Sequence, residues 1–491
     1  MGPIRLPVTP LKAKICLFIV AFAILGALIL SKPAWRLQDF DQHFYITIAY
    51  DLDSYGVFSN GEHDAGDPAT TRPPSGMFFG PVYPVLVFVL MKLDPRFAEA
   101  VRCSVEAHRG YRNEDTCEAY DASARLLNAF LLAIGVVAVA SAAQLIFRKS
   151  SILLLSGMLA VAALAFESFI FSWVMTEAAI FAIYGVFALA IVAAWRTGRT
   201  RHFILSGCLL GLLCLTKPSY LVLFPVVVVL TLLYLYWLAD PRRPHAVSRV
   251  LAFSLAFGCV VGAWAVRNVV SVGKFGLTEE YGAVAVIERF AYNDMMAREF
   301  FEAFPYCTPG IGDLAFDHVG GTDSMRRFDY QAPDGFFQVG RGRRDALVAQ
   351  FHRLDPLIFG IIRDELRTSW WRYLLVSIPL AWCGMWPGWI AGLILVPLFG
   401  WACIRSAREK QPLLMLYAAP AFAMLGLDAL VGNHDSRYNL ILIGPYAVGA
   451  AFIISSWLES GRRRWRFVAR APISSPSAIA ASGAGSTARP G

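Results

Sequence analysis

Two aspartates, Asp39 and Asp41, follow directly on the first long apolar stretch, in the order Asp39-Phe-Asp41-Gln-His-Phe-Tyr45-Ile-Thr-Ile-Ala49. Trp35, Phe40, Phe44 and Tyr45 flank them, and such aromatic residues settle at a bilayer surface. A carboxylate fixed there can do proton-transfer chemistry on a lipid-linked substrate whose reactive bond lies at headgroup level. Residues 41, 45, 49, 52 and 56 fall close to one face of a helix, which would hold Asp41 at the N-terminal lip of that helix. The plainer role for either acid is a solvated loop residue or a helix N-cap, and Asp39 fits it better than Asp41.

Other groups could serve the same site. Glu177 follows Thr176, Lys217 precedes Pro218, and Arg267 stands beside Asn268 near the end of an apolar run. His434, Asp435, Ser436, Arg437 and Tyr438 cluster just before the last run. An ionisable residue inside an apolar segment costs roughly 2.5–3.5 kcal/mol on insertion scales, so Glu177 and Lys217 ask for a function. Arg437 can clamp an anion bidentately, or it can snorkel to the interface with Tyr438 as a belt residue. The Lys217-Pro218 break can line a polar cavity, or it can be a plain turn. His434 and Asp435 lack a second histidine cluster or a glycine-flanked serine, so neither a metal site nor a triad is indicated. The Arg341-Gly-Arg343-Arg344-Asp345 run reads as a solvated face.

The elements that must carry these residues are membrane helices. Of 491 residues, 57% are hydrophobic and 16% charged, which excludes an ordinary soluble domain. Apolar runs cover 15–30, 126–147, 152–166, 173–195, 203–215, 219–238, 250–269, 388–403, 413–430 and 440–457. The first run resembles a signal peptide without a small-residue cleavage site and is expected to stay as a span. Val82–Met91 is too short to cross and is expected to lie at the interface, started by Pro81 and Pro84. Tyr373–Trp386 is either interfacial, which keeps both termini on one side, or one further crossing. The short connections carry Arg148-Lys149, Arg196 to Arg201, Arg242-Arg243 and Arg405 to Lys410, so they belong to the cytoplasm. The net charge of +8 is thereby explained without nucleic acid. Two long polar segments, about 32–124 and 271–370, then face outward. Nine cysteines show no C-x-x-C spacing. Cys103 and Cys117 share a polar loop that could hold a disulfide, which leaves Cys307 a lone loop thiol. The tail from 459 is basic and then, from Ser474, expected to be disordered. No inverted repeat of the transporter kind is visible.

Taken in order, several pieces resemble the GT-C superfamily of polyprenyl-phosphate-dependent glycosyltransferases, which contains lipid A aminoarabinose transferases and protein O-mannosyltransferases. They are the acid after the first span with Tyr45, Ala49, Leu52 and Gly56; the Pro-rich Thr71-Arg-Pro-Pro-Ser-Gly-Met-Phe-Phe-Gly-Pro81-Val-Tyr-Pro84, longer than the family's; Thr176-Glu177; Lys217-Pro218, where Arg-Pro is usual; Trp264 to Asn268 with Gly273-Lys-Phe275; and Arg437-Tyr438 with Pro445. The resemblance implies an all-α polytopic membrane protein, a GT-C-like bundle of about ten transmembrane helices (roughly nine to twelve) with two large extracytoplasmic loops. Residues 1–458 would form the catalytic domain.

The implied enzyme moves a sugar from a polyprenyl-phosphate donor to a hydroxyl of a lipid, polysaccharide or protein, on the outer side of a bacterial inner membrane. Asp41 is the base that the resemblance favours, with Asp39 as alternate. Lys217, Arg267 and Arg437 are the candidates for the donor phosphate, and Tyr45, Glu177, His434 and Tyr438 for the remaining substrate contacts. No cofactor is required, although some members of the superfamily use a divalent metal. A transporter or flippase, or a noncatalytic binder of lipid-linked saccharides, is the alternative.

Overall fold

A computed structural model describes residues 11–39, 41–61, 72–238, 246–279, 281–312, 314, 323–351, 354–432 and 435–470. Among them every regular element is helical. Eight helices are long and apolar enough to cross a bilayer, and two shorter apolar ones, Ser150–Phe166 and Thr200–Thr216, run beside them. The expected all-α polytopic architecture is therefore the observed one. The tail from Ser474 and His434 lie outside the described residues.

The bundle starts with α1 (Leu11–Leu30), and an outer layer of α2 (Gln42–Tyr55), α3 (Val82–Leu93) and α4 (Pro95–His108) follows it. Then come α5 (Ala122–Phe147), α6 (Ser150–Phe166), α7 (Glu177–Thr197), α8 (Thr200–Thr216), α9 (Leu223–Leu233) and α10 (Ala246–Val272). A second outer segment carries α11 (Tyr281–Phe290), α12 (Ala297–Cys307), α13 (Phe336–Phe351) and α14 (Asp355–Gly384). The chain closes with α15 (Ile390–Arg408), α16 (Leu413–Val431) and α17 (Ile443–Arg470).

The basic connections gather at one end. Lys149 pairs with Glu459 at 2.8 Å, Arg196 donates to the carbonyl of Ile146 at 2.5 Å, and the Arg405 guanidinium lies over the Phe452 ring. Close packing between helices rests on small residues, because apolar side chains gain nothing by leaving lipid for one another. At Gly207 of α8 a Cβ would run into the carbonyl of Phe253 on α10, so only glycine permits that approach.

Two expectations change in detail. The run 173–195 does not start a helix at Trp173. Residues 167–176 form an irregular turn because buried Asn128 of α5 donates to the carbonyls of Phe171 and Trp173 at 2.9 and 2.8 Å, and α7 begins only at Glu177. Tyr373–Trp386 is no crossing. Residues 373–384 belong to the second half of α14, which departs from helical geometry at Ser369. Its end stays with the outer elements, since Trp382 Nε1 donates to the Phe304 carbonyl at 3.0 Å and Cys383 is bonded to Cys307 of α12. Cys307 is thus not a lone thiol. The Cys103–Cys117 bond is present, with Cα atoms 5.5 Å apart.

Arg289 on α11 ties the second outer segment to the bundle. Its side chain is fully buried and donates to the Ala429 carbonyl at 3.0 Å, the Tyr373 carbonyl at 3.2 Å and Ser377 Oγ at 3.0 Å. The Ala429 carbonyl lies in the last turn of α16, where unpaired helix carbonyls favour a cation.

The turn between α14 and α15 is held by Glu167, whose Oε1 accepts from the Gly388 N–H at 2.7 Å. Burial pushes the Glu167 carboxyl up to about 7 from its ordinary 4.5; the Gly388 N–H opposes this and Asp435 adds to it. The folded value lies above the unfolded one, so the protonated carboxyl's contribution is full below about pH 4 and is lost as pH rises through 7. Glu167→Gln keeps an acceptor that cannot ionise. It should raise the thermal midpoint at pH 8, by an energy on the order of 2 kcal/mol, and change little at pH 4.5; equal shifts at both pH values would refute the assignment. Peptide mapping without reductant should recover the linked pairs Cys103–Cys117 and Cys307–Cys383, and free Cys307 would contradict the second.

Candidate active site

Asp41 occupies the N-cap position of α2, yet its carboxylate makes no capping hydrogen bond. Its side chain is about half exposed, at 51%. The residues around it are anchored from three sides. Arg125 at the start of α5 is buried, pairs with Asp121 at 2.7 Å, and donates to the carbonyls of Lys32 and Pro33 at 2.6 Å each, which straps the chain leaving α1. Gln42 is fully buried; its Oε1 accepts from the Val174 N–H at 2.8 Å. This places the turn before Glu177 beside the turn carrying Asp41. Further along α2, buried Asp51 accepts from Arg109 Nη2 at 2.8 Å and from Ser59 Oγ at 2.6 Å. Asp53 pairs with Lys92 and Arg102. Burial alone would raise the Asp53 carboxyl, but the hydrogen bonds from those two cations outweigh it and hold it below the usual range.

The Pro-rich segment is fastened by backbone contacts. Asn60 Oδ1 accepts from the N–H groups of Met77 and Phe78 at 2.8 and 3.0 Å. Arg267 Nη1 donates to the Gly76 carbonyl at 2.6 Å and Nη2 to the Phe58 carbonyl at 3.0 Å. Gly80 then passes so close to the end of α8 that a Cβ there would overlap the Leu215 carbonyl.

These constraints border a small open cavity of about 30 Å³. Asp41, Tyr45, Thr176, Glu177, Lys217 and Tyr438 line it, with Phe78, Phe79 and Gly80 along one wall. The 3-10 turn Ser436–Leu442 brings in Arg437, which Asp435 holds from its own loop at 2.9 Å. Arg437 Nη2 lies 3.5 Å from Asp41 Oδ2 and donates to Tyr438 Oη at 2.9 Å. Lys217 Nζ stands 3.8 Å above the Tyr438 ring, a cation–π contact that fixes the ammonium. Among the described residues, one oxygen of Glu177, Oε2, is buried without a hydrogen-bond partner.

Six of the nine residues singled out from the sequence therefore meet here: Asp41, Tyr45, Glu177, Lys217, Arg437 and Tyr438. Asp39 stands outside the cavity, with its N–H donating to the Arg36 carbonyl at 3.0 Å. Arg267 is not brought in either; its donors are spent on backbone carbonyls, with the guanidinium 4.8 Å from the centre of the Trp264 ring. Sequence reasoning gave no role to Gln42, Gly80 or Thr216. Only Gly80 carried a signal, as part of the Pro-rich segment. Gln42 had none, because its partner is a backbone N–H.

Among the described residues no three His, Cys, Asp or Glu side chains come together, and Asp41 and Asp435 both face the Arg437 guanidinium.

No protein-family model matches the chain, and no curated protein sequence matches it. Among solved structures, the apo-form crystal structure of an oligosaccharyltransferase from Archaeoglobus fulgidus is similar at 11% identity, with a TM-score of 0.46. The alignment takes in 93% of this chain and 52% of that one, so the chain spans about half the length of that protein.

Replacement of Gly80 by alanine should cost about 1–3 kcal/mol, because the obstacle is backbone and cannot rotate away. Thermal unfolding of the purified variant measures this; an unchanged midpoint would mean that the segment has room to shift.

Proposed function

We propose that the protein is a membrane glycosyltransferase that moves a sugar from a polyprenyl-phosphate donor to an acceptor hydroxyl. The acceptor oxygen attacks the anomeric carbon, the bond from that carbon to the phosphate oxygen breaks, and its electron pair leaves on the phosphate. The hydroxyl proton passes to Asp41, and the anomeric configuration inverts. A glycosidase needs a second carboxyl to protonate its leaving alcohol. A phosphate leaves as a stable anion, so one base and a set of cations suffice. The observation that carries this reading is the contact at 3.5 Å between Arg437 and a half-exposed Asp41 that lines the cavity, with Lys217 lining the same cavity. Asp41 is free for the role because it caps nothing.

The site faces the side away from the cytoplasm in this reading. Support comes from the basic connections gathered at the opposite end and from two disulfides on the site's side, since disulfides persist in oxidising compartments. An inner-membrane protein with its site outward meets both conditions. The acceptor is a lipid, polysaccharide or protein presented there. A transporter of lipid-linked saccharide would also tolerate buried charges, but it has no use for a base held against a cation at the mouth of the cavity.

Asp41→Asn should reduce transfer by about 10²–10⁴-fold while binding of a prenyl phosphate persists. Transfer of radiolabelled sugar by membranes containing the variant gives the answer. Undiminished turnover would remove Asp41 as base, and movement of intact lipid-linked sugar without any transfer would favour the transporter.

A further inference from the structure

Glu177 is the buried group that the proposed chemistry does not use. Glu177 is 6% exposed and lines the cavity, and among the described residues its Oε2 has no hydrogen-bond partner. A buried carboxylate oxygen left unsatisfied costs several times what a satisfied one does, so its place on a cavity wall points to a donor supplied by a ligand. Arg437 and Lys217 act on it as opposite charges but do not bond to Oε2.

Charge accounting sharpens what that ligand can be. Asp41, Glu177, Asp428 and Asp435 are set against Lys217 and Arg437. The donor phosphodiester brings one further negative charge and engages the two cations. What remains to meet the sugar is a wall with excess negative charge and an acceptor oxygen facing inward. A sugar hydroxyl satisfies it; a sugar carboxylate meets repulsion in a low-dielectric setting where like charges are costly.

We infer that Glu177 determines the class of sugar accepted, selecting a donor whose sugar presents hydrogen-bond donors and carries no carboxylate. This rests on the polyprenyl-phosphate reading above. The full chain in detergent micelles would be titrated with three probes: farnesyl phosphate, its glucosyl phosphodiester and its glucuronosyl phosphodiester. The last two differ only in a hydroxymethyl against a carboxylate. The wild-type protein should bind the glucosyl probe roughly tenfold or more tighter than the glucuronosyl one, and Glu177→Gln should bring the ratio to within about threefold. Equal wild-type binding of the two, or a ratio unchanged in a folded Glu177→Gln, overturns the inference while binding of farnesyl phosphate leaves the donor reading standing. The wild-type ratio needs no variant to fold. Failure of all three probes to bind would instead remove the donor reading, and this inference with it.

Discussion

The contact between Arg437 and Asp41 joins the beginning of the chain to its last helix, and most of the outer architecture exists to let it form. Neither partner is held by the other alone. Asp41 is placed by Gln42 and by the strap that Arg125 makes around the end of α1. Arg437 is placed by Asp435 and by the turn Ser436–Leu442 that leads into α17. An exposed ion pair at this separation contributes little stability. Its value lies in geometry, because a base and a cation must be fixed before a substrate arrives for either to act in the transition state.

The irregular backbone around the site obeys the same logic. In a bilayer, non-helical chain is tolerated only where its polar groups are paired or where it lines a cavity. Residues 167–176, the Pro-rich segment and the Lys217-Pro218 break all depart from α-helix, and all border the cavity. Their carbonyl and N–H groups are met by side chains: Asn128 for Phe171 and Trp173, Asn60 for Met77 and Phe78, Arg267 for Gly76 and Phe58. Glu177 and Lys217, the two ionisable residues that looked expensive in apolar runs, are turned to the cavity.

The second outer segment acts at one remove. Arg289 neutralises the end of α16, and the bond from Cys307 to Cys383 pins α12 to α14. Tyr373 Oη also donates to the Leu430 carbonyl. All three fix the outer end of α16, from which the chain turns toward Asp435 and Arg437. The cavity is thus bounded on one side by the first outer layer and on the other by a turn whose approach the second segment sets.

Hydropathy by itself determined the class of molecule, because a bilayer imposes a length and a composition on any span. Residue type determined the chemistry on offer: a carboxylate after the first span, a lysine and an arginine at breaks in apolar runs. Helical spacing was enough to rank Asp41 above Asp39, since an α-helix fixes which residues share a face. What the tertiary structure decided is convergence. It gathered Asp41, Glu177, Lys217 and Tyr438 on one cavity, set Arg437 against Asp41, and turned Arg267 to the backbone, although Arg267 and Arg437 stood equal by residue type and position in the chain. The turn before Glu177, the partner of Cys307 and the anchoring by Gln42 were equally hidden. Each depends on a partner far along the chain, often a bare backbone group, and a pattern of neighbouring side chains carries no record of such a partner.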